Sequence, residues 1–498
     1  AGARIEALHA ATAERWRAKV GRVPFRVPPE AERVVDTFRS QLAYILINRD
    51  GPAFQPGSRS YERSWARDGS MTSAALLELG LDEEVRAWVE WFGSHQFETG
   101  KVPCVVDHRG PDPVDEHDSH GQLIWAIWNY YDHTKDVGFL RAQWPRVVKA
   151  VAFIESLRAQ RMTPEYADEA SPKRAYYGLV PESISHEGYS AKPMHSYWDT
   201  FFVLRGLKDA RSIAAALGEA EAERKYAALV DDFRTCLYDS IRRVTKEKGL
   251  TYIPGCVELG DFDSTSTTIA LFPVGEGERA PRDLLEGTFD RYWTWFQDRA
   301  KPEAVWDGYT PYELRHVGAY ARLGQPERAA ACLEWFFQHQ RPSGWNHWAE
   351  VVFQDPETPR FIGDMPHTWV GSDYMNAVRA MFAYEREEDD AVVLFAGIPL
   401  AWARAEGGVS IERMRTRFGE VTASLGPIEG GLELIIKPDG TTPPGGYVCV
   451  PPNAGPQARS SSDPRASASR GAGRRAAALP PPGPDGSVRV IFPDAPMR

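Results

Sequence analysis

Apolar residues recur at steps of three and four along most of the chain, which is the period of an amphipathic helix. In one early segment Val34, Phe38, Leu42 and Ile45 fall on a single face. The same analysis predicts a series of helices over residues 3–20, 30–48, 69–80, 83–97, 119–134, 137–160, 196–217, 219–242, 264–272, 311–323, 326–340 and 367–386.

The connections between these helices are of two kinds. Short glycine turns such as L-G-L-D, A-L-G-E and R-L-G-Q join antiparallel neighbours. Long polar loops rich in aromatic residues recur about every two helices, so they should collect at one end of a ring. The pattern predicts a mainly α protein, a closed toroid of helical hairpins with one functional face, because loops on a rigid scaffold carry function.

Near residue 389 the pattern changes to the alternation of short strands, as in G-L-E-L-I-I-K and Y-V-C-V. We therefore predict a small β-sheet domain after the helices. Residues 452–484 are rich in Pro, Ala, Ser, Arg and Gly, which predicts a disordered, dispensable linker. The predicted division is an N-terminal helical lead-in (1–29), a helical catalytic domain (30–388), the β domain (389–451), the linker (452–484) and a terminal strand (485–498).

Composition disfavours a nucleic-acid-binding or membrane-spanning protein and is compatible with a carbohydrate ligand. The chain has 498 residues and a net charge of −11 with no basic patch, which disfavours nucleic acid as a partner. It has no apolar run long enough for a membrane span. Sixteen tryptophans suit stacking on flat apolar ligand faces such as sugar rings. The first residues show no signal-peptide pattern, and we predict neither compartment nor oligomeric state.

The segment R-S-Y-E-R-S-W-A-R-D-G places three arginines, two aromatic residues and two acids ahead of an apolar helix. Buried charges must be paired, since an unpaired one costs several kcal/mol. We therefore expect Arg67 and Asp68 to lie at the bottom of a pocket, held by Tyr61 and Trp65. The plainer alternative is a helix N-terminus capped by Asp68.

Four other loops carry acids beside aromatic residues or histidines. They hold Asp118 in D-E-H-D-S-H, Glu182 and Glu187 in P-E-S-I-S-H-E-G-Y, Asp307 in W-D-G-Y and Glu350 in H-W-A-E. A single loop acid is usually solvated. Several of them in successive loops fit glycoside cleavage, which needs one protonated and one ionised carboxyl group.

The D-E-H-D-S-H loop also contains possible metal ligands in Asp115, His117, Asp118 and His120. The competing interpretation is a loop that ends in a helix N-cap. Because no H-x-x-x-H spacing on one helix supports a metal, we predict none.

Several motifs in order over about residues 30–388 resemble the (α/α)6-barrel glycoside hydrolases. They are S-W-A-R-D-G, the helix pair after D-S-H-G-Q, S-H-E-G-Y ahead of H-S-Y-W-D, and W-A-E-V-V-F before P-H-T-W-V-G-S. The chain looks most like the glucoamylase-like group, glycoside hydrolase family 15. Within it, the similarity is greatest to a bacterial branch that shares R-S-W-x-R-D-G and S-H-E-G-Y. The resemblance implies an (α/α)6 toroid followed by a small β domain.

The resemblance also implies roles for individual residues. Arg67 and Asp68 would hold the terminal sugar, Glu350 would be the general base, and Glu187 the general acid. The W-E-E form of the acid motif is missing, so Glu182 stays an alternative acid. No cofactor is implied. The full set of predicted substrate-binding residues is Tyr61, Trp65, Arg67, Asp68, Asp118, His186, Tyr189, Trp198, Asp307, Trp345, Trp348, His367 and Trp369.

We therefore predict an inverting, exo-acting glycoside hydrolase whose partner is an oligosaccharide or polysaccharide substrate. Two alternatives remain. Helical toroids also host epimerases, phosphorylases and lyases, in which His or Tyr moves protons. A non-catalytic carbohydrate-binding protein would use the aromatic residues without needing the two acids. The sequence predicts neither the sugar nor its linkage or anomer.

Overall fold

The computed structural model describes residues 2–450, Pro452, the backbone of 477–478, and 487–493. Fifteen helices lie in the described part of the chain: α1 (Gly2–Val20), α2 (Glu32–Ile47), α3 (Ala66–Leu77), α4 (Asp82–Ser94), α5 (Asp118–Thr134), α6 (Val137–Ala159), α7 (Pro164–Ala167), α8 (Tyr197–Leu217), α9 (Ala220–Lys248), α10 (Ser264–Thr267), α11 (Arg282–Arg299), α12 (Arg315–Arg322), α13 (Pro326–Phe337), α14 (Thr368–Phe382) and α15 (Leu400–Arg404). Most of the predicted linker, 452–484, lies outside the described residues.

Six helical hairpins form a closed ring, so the predicted (α/α)6 toroid is confirmed. The inner helices are α3, α5, α8, α12 and α14, together with the short α10 and the 3-10 turn Thr268–Ala270 that follows it. Every residue of α3 and α14 is buried, which is expected of helices enclosed on all sides. The ring closes where α2 packs on α14, and there the Tyr374 hydroxyl donates to the Val34 carbonyl at 2.7 Å.

The sequence prediction differs from the structure at several helices: the short helices α7 and α15 were not predicted, and α9 continues to Lys248 rather than ending at 242. Helix α11 was missed, because its aromatic residues and Gly287 blur the helical period. Gly287 sits inside α11 where a Cβ would lie 1.9 Å from the Thr251 carbonyl, so this glycine serves close packing rather than a turn. The last helix ends at Phe382 rather than 386, and the chain continues directly as a strand.

The β domain consists of two sheets. Strands β1 (Phe25–Arg26), β9 (Val409–Thr416), β10 (Gly419–Ile428), β11 (Gly431–Gly440) and β14 (Val488–Pro493) form one, in the order β1-β9-β10-β11-β14. Strands β7 (Ala383–Arg386), β8 (Ala391–Leu394), β12 (Tyr447–Cys449) and β13 (Ala477–Ala478) form the other, in the order β13-β12-β8-β7. The predicted boundary at 389 thus falls between β7 and β8. Short strands β2 (Ser64–Trp65), β3 (Val105–Asp107), β4 (Gly110–Pro111), β5 (Gly308–Tyr309) and β6 (Val352–Phe353) lie in the loops of the ring.

Buried ion pairs join the β domain to the ring. Arg379 on α14 is 1% exposed and donates to both oxygens of Glu385 at 2.5 and 2.8 Å, with Glu78 3.4 Å away. It also donates to the Arg415 carbonyl on β9 at 3.1 Å. Loss of one partner would leave a buried charge unpaired, which is strongly destabilising. No helix in the described residues is long and apolar enough to cross a membrane.

Helices α5 and α8 approach each other closely at two glycines. A Cβ on Gly121 would lie 1.9 Å from the Phe202 carbonyl oxygen, and one on Gly206 would lie 2.5 Å from the Gly121 Cα. We predict that Gly121→Ala lowers stability by about 1–3 kcal/mol, because the added methyl meets backbone that cannot move aside. Thermal unfolding followed by circular dichroism would measure this.

The matched control is Gly138→Ala near the start of α6, where the added Cβ meets only a side-chain oxygen of Asp136 at 3.2 Å. It should leave the melting temperature unchanged or slightly higher, because alanine favours helix over glycine. Equal destabilisation by both substitutions would contradict the packing argument.

Candidate active site

A cavity of about 280 Å³ opens at the end of the ring where the inner helices α3, α8 and α14 begin. Its walls come from loops far apart in the sequence. The lining residues are Pro56, Tyr61, Trp65, Arg67, Asp68, His186, Glu187, Trp198, Asp263, Thr265, Ser266, Thr310, Tyr312, Arg315, Glu350, His367 and Trp369. The loops S-W-A-R-D-G and H-W-A-E therefore meet in one cavity, as the loop pattern predicts.

Arg67 and Asp68 lie in the first turn of α3 and form part of the cavity floor. The Arg67 guanidinium is 4.8 Å from the Trp369 ring centre and pairs with Glu116 at 2.5 Å. Asp68 is 4% exposed, and its Oδ2 has no hydrogen-bond partner among the described residues. Burial raises the pKa of Asp68 to about 8 against the opposing charge of Arg67. The floor thus presents a carboxyl oxygen available for a ligand hydroxyl.

The loop that carries Glu187 is fixed to the start of α8. The hydroxyls of Ser183 and Ser185 donate to the two oxygens of buried Asp199 at 2.5 and 2.7 Å. Ser185 and Glu187 have φ angles of 54° and 64°, in the left-handed region that costs energy for residues other than glycine. Such strain persists only where the surroundings enforce it. The anchored loop therefore holds the Glu187 carboxyl over the cavity, where it accepts a hydrogen bond from Trp65 Nε1 at 3.1 Å.

Glu350 lies across the cavity and is half-buried. The Tyr61 hydroxyl donates to its Oε2, and the Tyr312 hydroxyl donates to its Oε1 at 3.0 Å. Burial raises the pKa of Glu350, the two phenol hydrogen bonds lower it, and the negative charge of Glu187 raises it again; the net direction is upward. Both carboxylate oxygens therefore have donors aimed at them.

Two aromatic side chains connect the carboxyl groups. The Tyr61 and Trp65 rings pack edge to face with centres 5.7 Å apart. Tyr61 binds Glu350 and Trp65 binds Glu187. The two acids thus face a common space, each oriented by one member of an aromatic pair. Glycoside cleavage requires two carboxyl groups that flank the scissile bond, so Glu187 and Glu350 are the candidate pair in this cavity.

Sequence reasoning missed several lining residues. Asp263 caps α10 and accepts from the Ser266 hydroxyl at 2.5 Å, and Ser266 also lies 3.0 Å from His186 Nε2. The D-F-D-S-T-S-T-T loop could have indicated this polar wall. Tyr312 and Arg315 were also missed, since a lone Tyr and a lone Arg beside a helix start have no distinguishing pattern.

Six predicted site residues do not line the cavity, and four of them are engaged elsewhere. The alternative acid Glu182 is half exposed and pairs with Arg161. Asp307 is 74% exposed and pairs with Arg360 at 2.7 Å. Trp348 is 1% exposed and donates its Nε1 to a main-chain carbonyl at 2.8 Å, so it belongs to the core. Trp345 is 59% exposed outside the cavity.

The other two support the wall from behind. Asp118 is fully buried and accepts from Trp198 Nε1 at 2.7 Å, which orients that cavity tryptophan. Tyr189 donates to Asp261 at 2.9 Å. Within the described ranges there is no cluster of three or more His, Cys, Asp or Glu side chains suited to a metal ion.

Comparison with known proteins finds one family model and several solved structures that this chain resembles. Residues 60–250 match the family model described as the bacterial α-L-rhamnosidase six-hairpin glycosidase domain. That span includes Arg67, Asp68 and Glu187. No curated protein matches the chain.

Among solved structures, an α-L-rhamnosidase from Dictyoglumus thermophilum is 12% identical with a TM-score of 0.56, over 86% of this chain and 45% of that one. A family 78 rhamnosidase of Bacillus sp. GL1 is 14% identical with a TM-score of 0.55, over 83% and 40%. A glycosidase solved as wild type, and as a variant in complex with glucose, is 14% identical with a TM-score of 0.50, over 71% and 98%.

The six-hairpin fold and the family match over residues 60–250 define the class of the protein. It is a glycoside hydrolase of the six-hairpin type. The family whose model it matches is that of the bacterial α-L-rhamnosidases, over 60–250.

Asp199 should be a positioning residue for the Glu187 loop. We predict that Asp199→Asn lowers kcat by up to about 100-fold, because an amide cannot accept from both serines and a small displacement of a catalytic group can cost that much. Steady-state kinetics on an aryl glycoside would measure the loss. The control is Glu276→Gln, a buried acid that accepts from Arg234 at 2.9 Å and lines neither the active-site cavity nor two further cavities along the axis of the ring. Equal effects of both substitutions would indicate a purely structural role.

Proposed function

We propose that the protein is an inverting, exo-acting glycoside hydrolase in which Glu350 is the general base and Glu187 the general acid. The observation that supports this most is the placement of the two carboxyl groups in one cavity with different hydrogen-bonding environments. Glu350 receives donors on both oxygens, whereas Glu187 receives one. The two groups are therefore suited to opposite protonation states.

Glu350 suits the base. Hydrogen bonds donated to a carboxylate favour its ionised form. The two phenol donors hold the Glu350 carboxylate in place while burial makes it a stronger base than a solvated glutamate. A water beside it could lose its proton to Glu350 as the water oxygen attacks the anomeric carbon.

Glu187 suits the acid because of its position. It is exposed at the cavity opening, where the leaving group of a terminal sugar would extend into solvent. Its Oε1 accepts from Trp65, which leaves Oε2 to carry a proton. In the reaction the glycosidic bond breaks as this proton moves to the leaving oxygen. Water thus supplies the new hydroxyl on the opposite face of the sugar, with inversion at the anomeric carbon.

The cavity size supports exo action. Its volume of about 280 Å³ is at the small end for ligand sites, where volumes of roughly 300–1,000 Å³ are usual. That is room for one sugar ring. The floor formed by Arg67 and Asp68 limits a longer glycan to entering by its end.

For the sugar we propose a terminal α-L-rhamnose, on the basis of the family match over the residues that form much of the cavity. A terminal α-glucose is the second candidate, because a structure that covers the helical ring of this fold is a glycosidase solved in complex with glucose. Aryl α-L-rhamnoside and aryl α-glucoside, tested side by side, separate the two.

Replacing each acid by its amide tests the assignment. Glu350→Gln should abolish hydrolysis while sugar binding persists, because the amide keeps shape but loses basicity. Glu187→Gln should reduce turnover of alkyl glycosides far more than that of activated aryl glycosides, which need little protonation. Initial rates on both substrate types, with binding measured by calorimetry, give the comparison.

The matched control is Glu182→Gln, since Glu182 lies in the same loop and does not line the cavity. It should keep normal activity on both substrate types. Full activity of Glu350→Gln, or loss of activity in Glu182→Gln with Glu187→Gln unaffected, would contradict the assignment.

The hydrogen bond from Tyr312 gives a pH prediction. This bond lowers the pKa of Glu350, so Tyr312→Phe should raise that pKa. Because the base works only when ionised, the acidic limb of the kcat/KM profile should move to higher pH. In Tyr252→Phe, whose hydroxyl instead binds the Gly260 carbonyl, the limb should stay in place. A shift to lower pH in Tyr312→Phe would refute the role of Glu350 as base.

A further inference from the structure

Three cavities follow one another along the axis of the ring. The active-site cavity shares Arg315 with a small central cavity of about 20 Å³. The central cavity shares Leu271, Phe272 and Arg322 with a third cavity of about 730 Å³. That third cavity is lined by residues beyond the C-terminal ends of α5 and α14, such as Lys135 and Glu385. The series therefore runs from the active site to the opposite end of the toroid.

Two inner helices form much of the wall of the central cavity. Helix α12 contributes Arg315, Gly318, Ala319 and Arg322, and α14 contributes Asp373, Asn376, Ala377 and Ala380. Both sets have the spacing i, i+3, i+4, i+7, which places each set on one helix face. These faces are polar or small rather than large and apolar. Polar side chains thus enter the wall of this cavity beside the apolar Met71, Leu271 and Phe272.

Buried polar atoms on these faces lack partners. Arg315 Nη2, Asp373 Oδ1 and Asn376 Oδ1 have no hydrogen-bond partner among the described residues. The side chains of Arg315 and Asp373 are 8% and 0% exposed, and Asn376 is 6% exposed. Buried polar groups in folded proteins are nearly always satisfied, by protein or by ordered water.

Water is the partner that fits. A cavity of about 20 Å³ exceeds the roughly 10–15 Å³ that one water needs when polar partners surround it. Each of these side chains can still form a further hydrogen bond. Arg315 Nε donates to Asp373 Oδ2 at 2.8 Å, and Asn376 Nδ2 donates to the Met71 carbonyl at 3.2 Å, so the opposite atoms remain available.

The channel leads toward the base. The Arg315 guanidinium lies 5.1 Å from the ring centre of Tyr312, whose hydroxyl binds Glu350. With a sugar in the cavity and its leaving group at the opening, the substrate covers the outer route for solvent. Water for the reaction would then have to arrive from the axial side.

We propose that the axis of the toroid is a hydrated channel that supplies the water consumed by hydrolysis to Glu350 from the far end of the ring. The supply role rests on the proposed function, whereas hydration of the channel does not. Arg315, Asp373 and Asn376 bind the channel waters through their unpartnered atoms.

The hydration is tested by crystal structures of the wild-type protein and of Ala380→Val, which fills the central cavity. Ordered waters should lie within hydrogen-bond distance of Asp373 Oδ1 and Asn376 Oδ1 in the wild type and be lost in the variant. The control is Ala321→Val, a buried alanine of α12 that lines none of the three cavities and should retain the waters. A dry channel in the wild type would overturn the proposal whatever the activity.

The supply role is tested by kinetics on an aryl glycoside that the wild type hydrolyses. Ala380→Val should lower kcat about tenfold with KM unchanged, because substrate binding is untouched while a step after it slows. Ala321→Val should show the wild-type kcat, with melting temperatures measured for both. If Ala380→Val loses its waters and keeps its kcat, the supply role is overturned. If the wild type hydrolyses no glycoside, the proposed function and the supply role fail together, and the crystal structures alone decide hydration.

Discussion

Closure of the helical ring is the constraint on which the active site depends, because the loop after α2 and the loop before α14 must meet. Asp364 makes the junction. Its buried carboxylate accepts the backbone N–H groups of Arg59, Ser60 and Tyr61 at 2.8, 3.2 and 3.0 Å. Burial raises the pKa of Asp364, but the three backbone donors lower it by more, so the net direction is down. The same contact places the Tyr61 hydroxyl on Glu350.

Two different loops hold the two carboxyl groups of the site. One loop, tied to Asp199, holds Glu187 at the opening, and another presents Glu350 to two tyrosines. Loops can hold such positions because the helices beneath them are buried and rigid. Polar side chains enter the wall of the central cavity, and one of them, Arg315, also lines the active-site cavity. In the proposed channel, water would reach Glu350 along the axis of the ring.

Much of the fold could be predicted from the sequence, because helical periodicity and turn chemistry are local. The acids Glu187 and Glu350 and the pair Arg67 and Asp68 were predicted from aromatic neighbours, and the structure gathers all four in one cavity. The same reasoning failed for Asp307, since its partner Arg360 lies 53 residues away in sequence and takes up its charge.

Other failures have the same physical origin. Trp348 and Trp369 look alike in sequence, yet only Trp369 lines the cavity, while the indole of Trp348 is held by the Phe336 carbonyl. Tyr312 lies in the turn ahead of α12, and Arg315 is the first residue of that helix. Closure of the ring brings both residues beside two loops that are distant in sequence. Long-range contacts of this kind leave no local pattern, so such residues appear only in three dimensions.

The stereochemistry of the first product tests the central claim most directly. Proton nuclear magnetic resonance, recorded as the enzyme hydrolyses an aryl α-glycoside, shows which anomer of the free sugar forms before mutarotation. An inverting pair with water between base and sugar requires carboxyl groups roughly 6.5–9.5 Å apart, against roughly 5–5.5 Å for a retaining pair. An inverting enzyme should release the β-anomer first. Initial release of the α-anomer would contradict the assignment of Glu350 as a base acting on water.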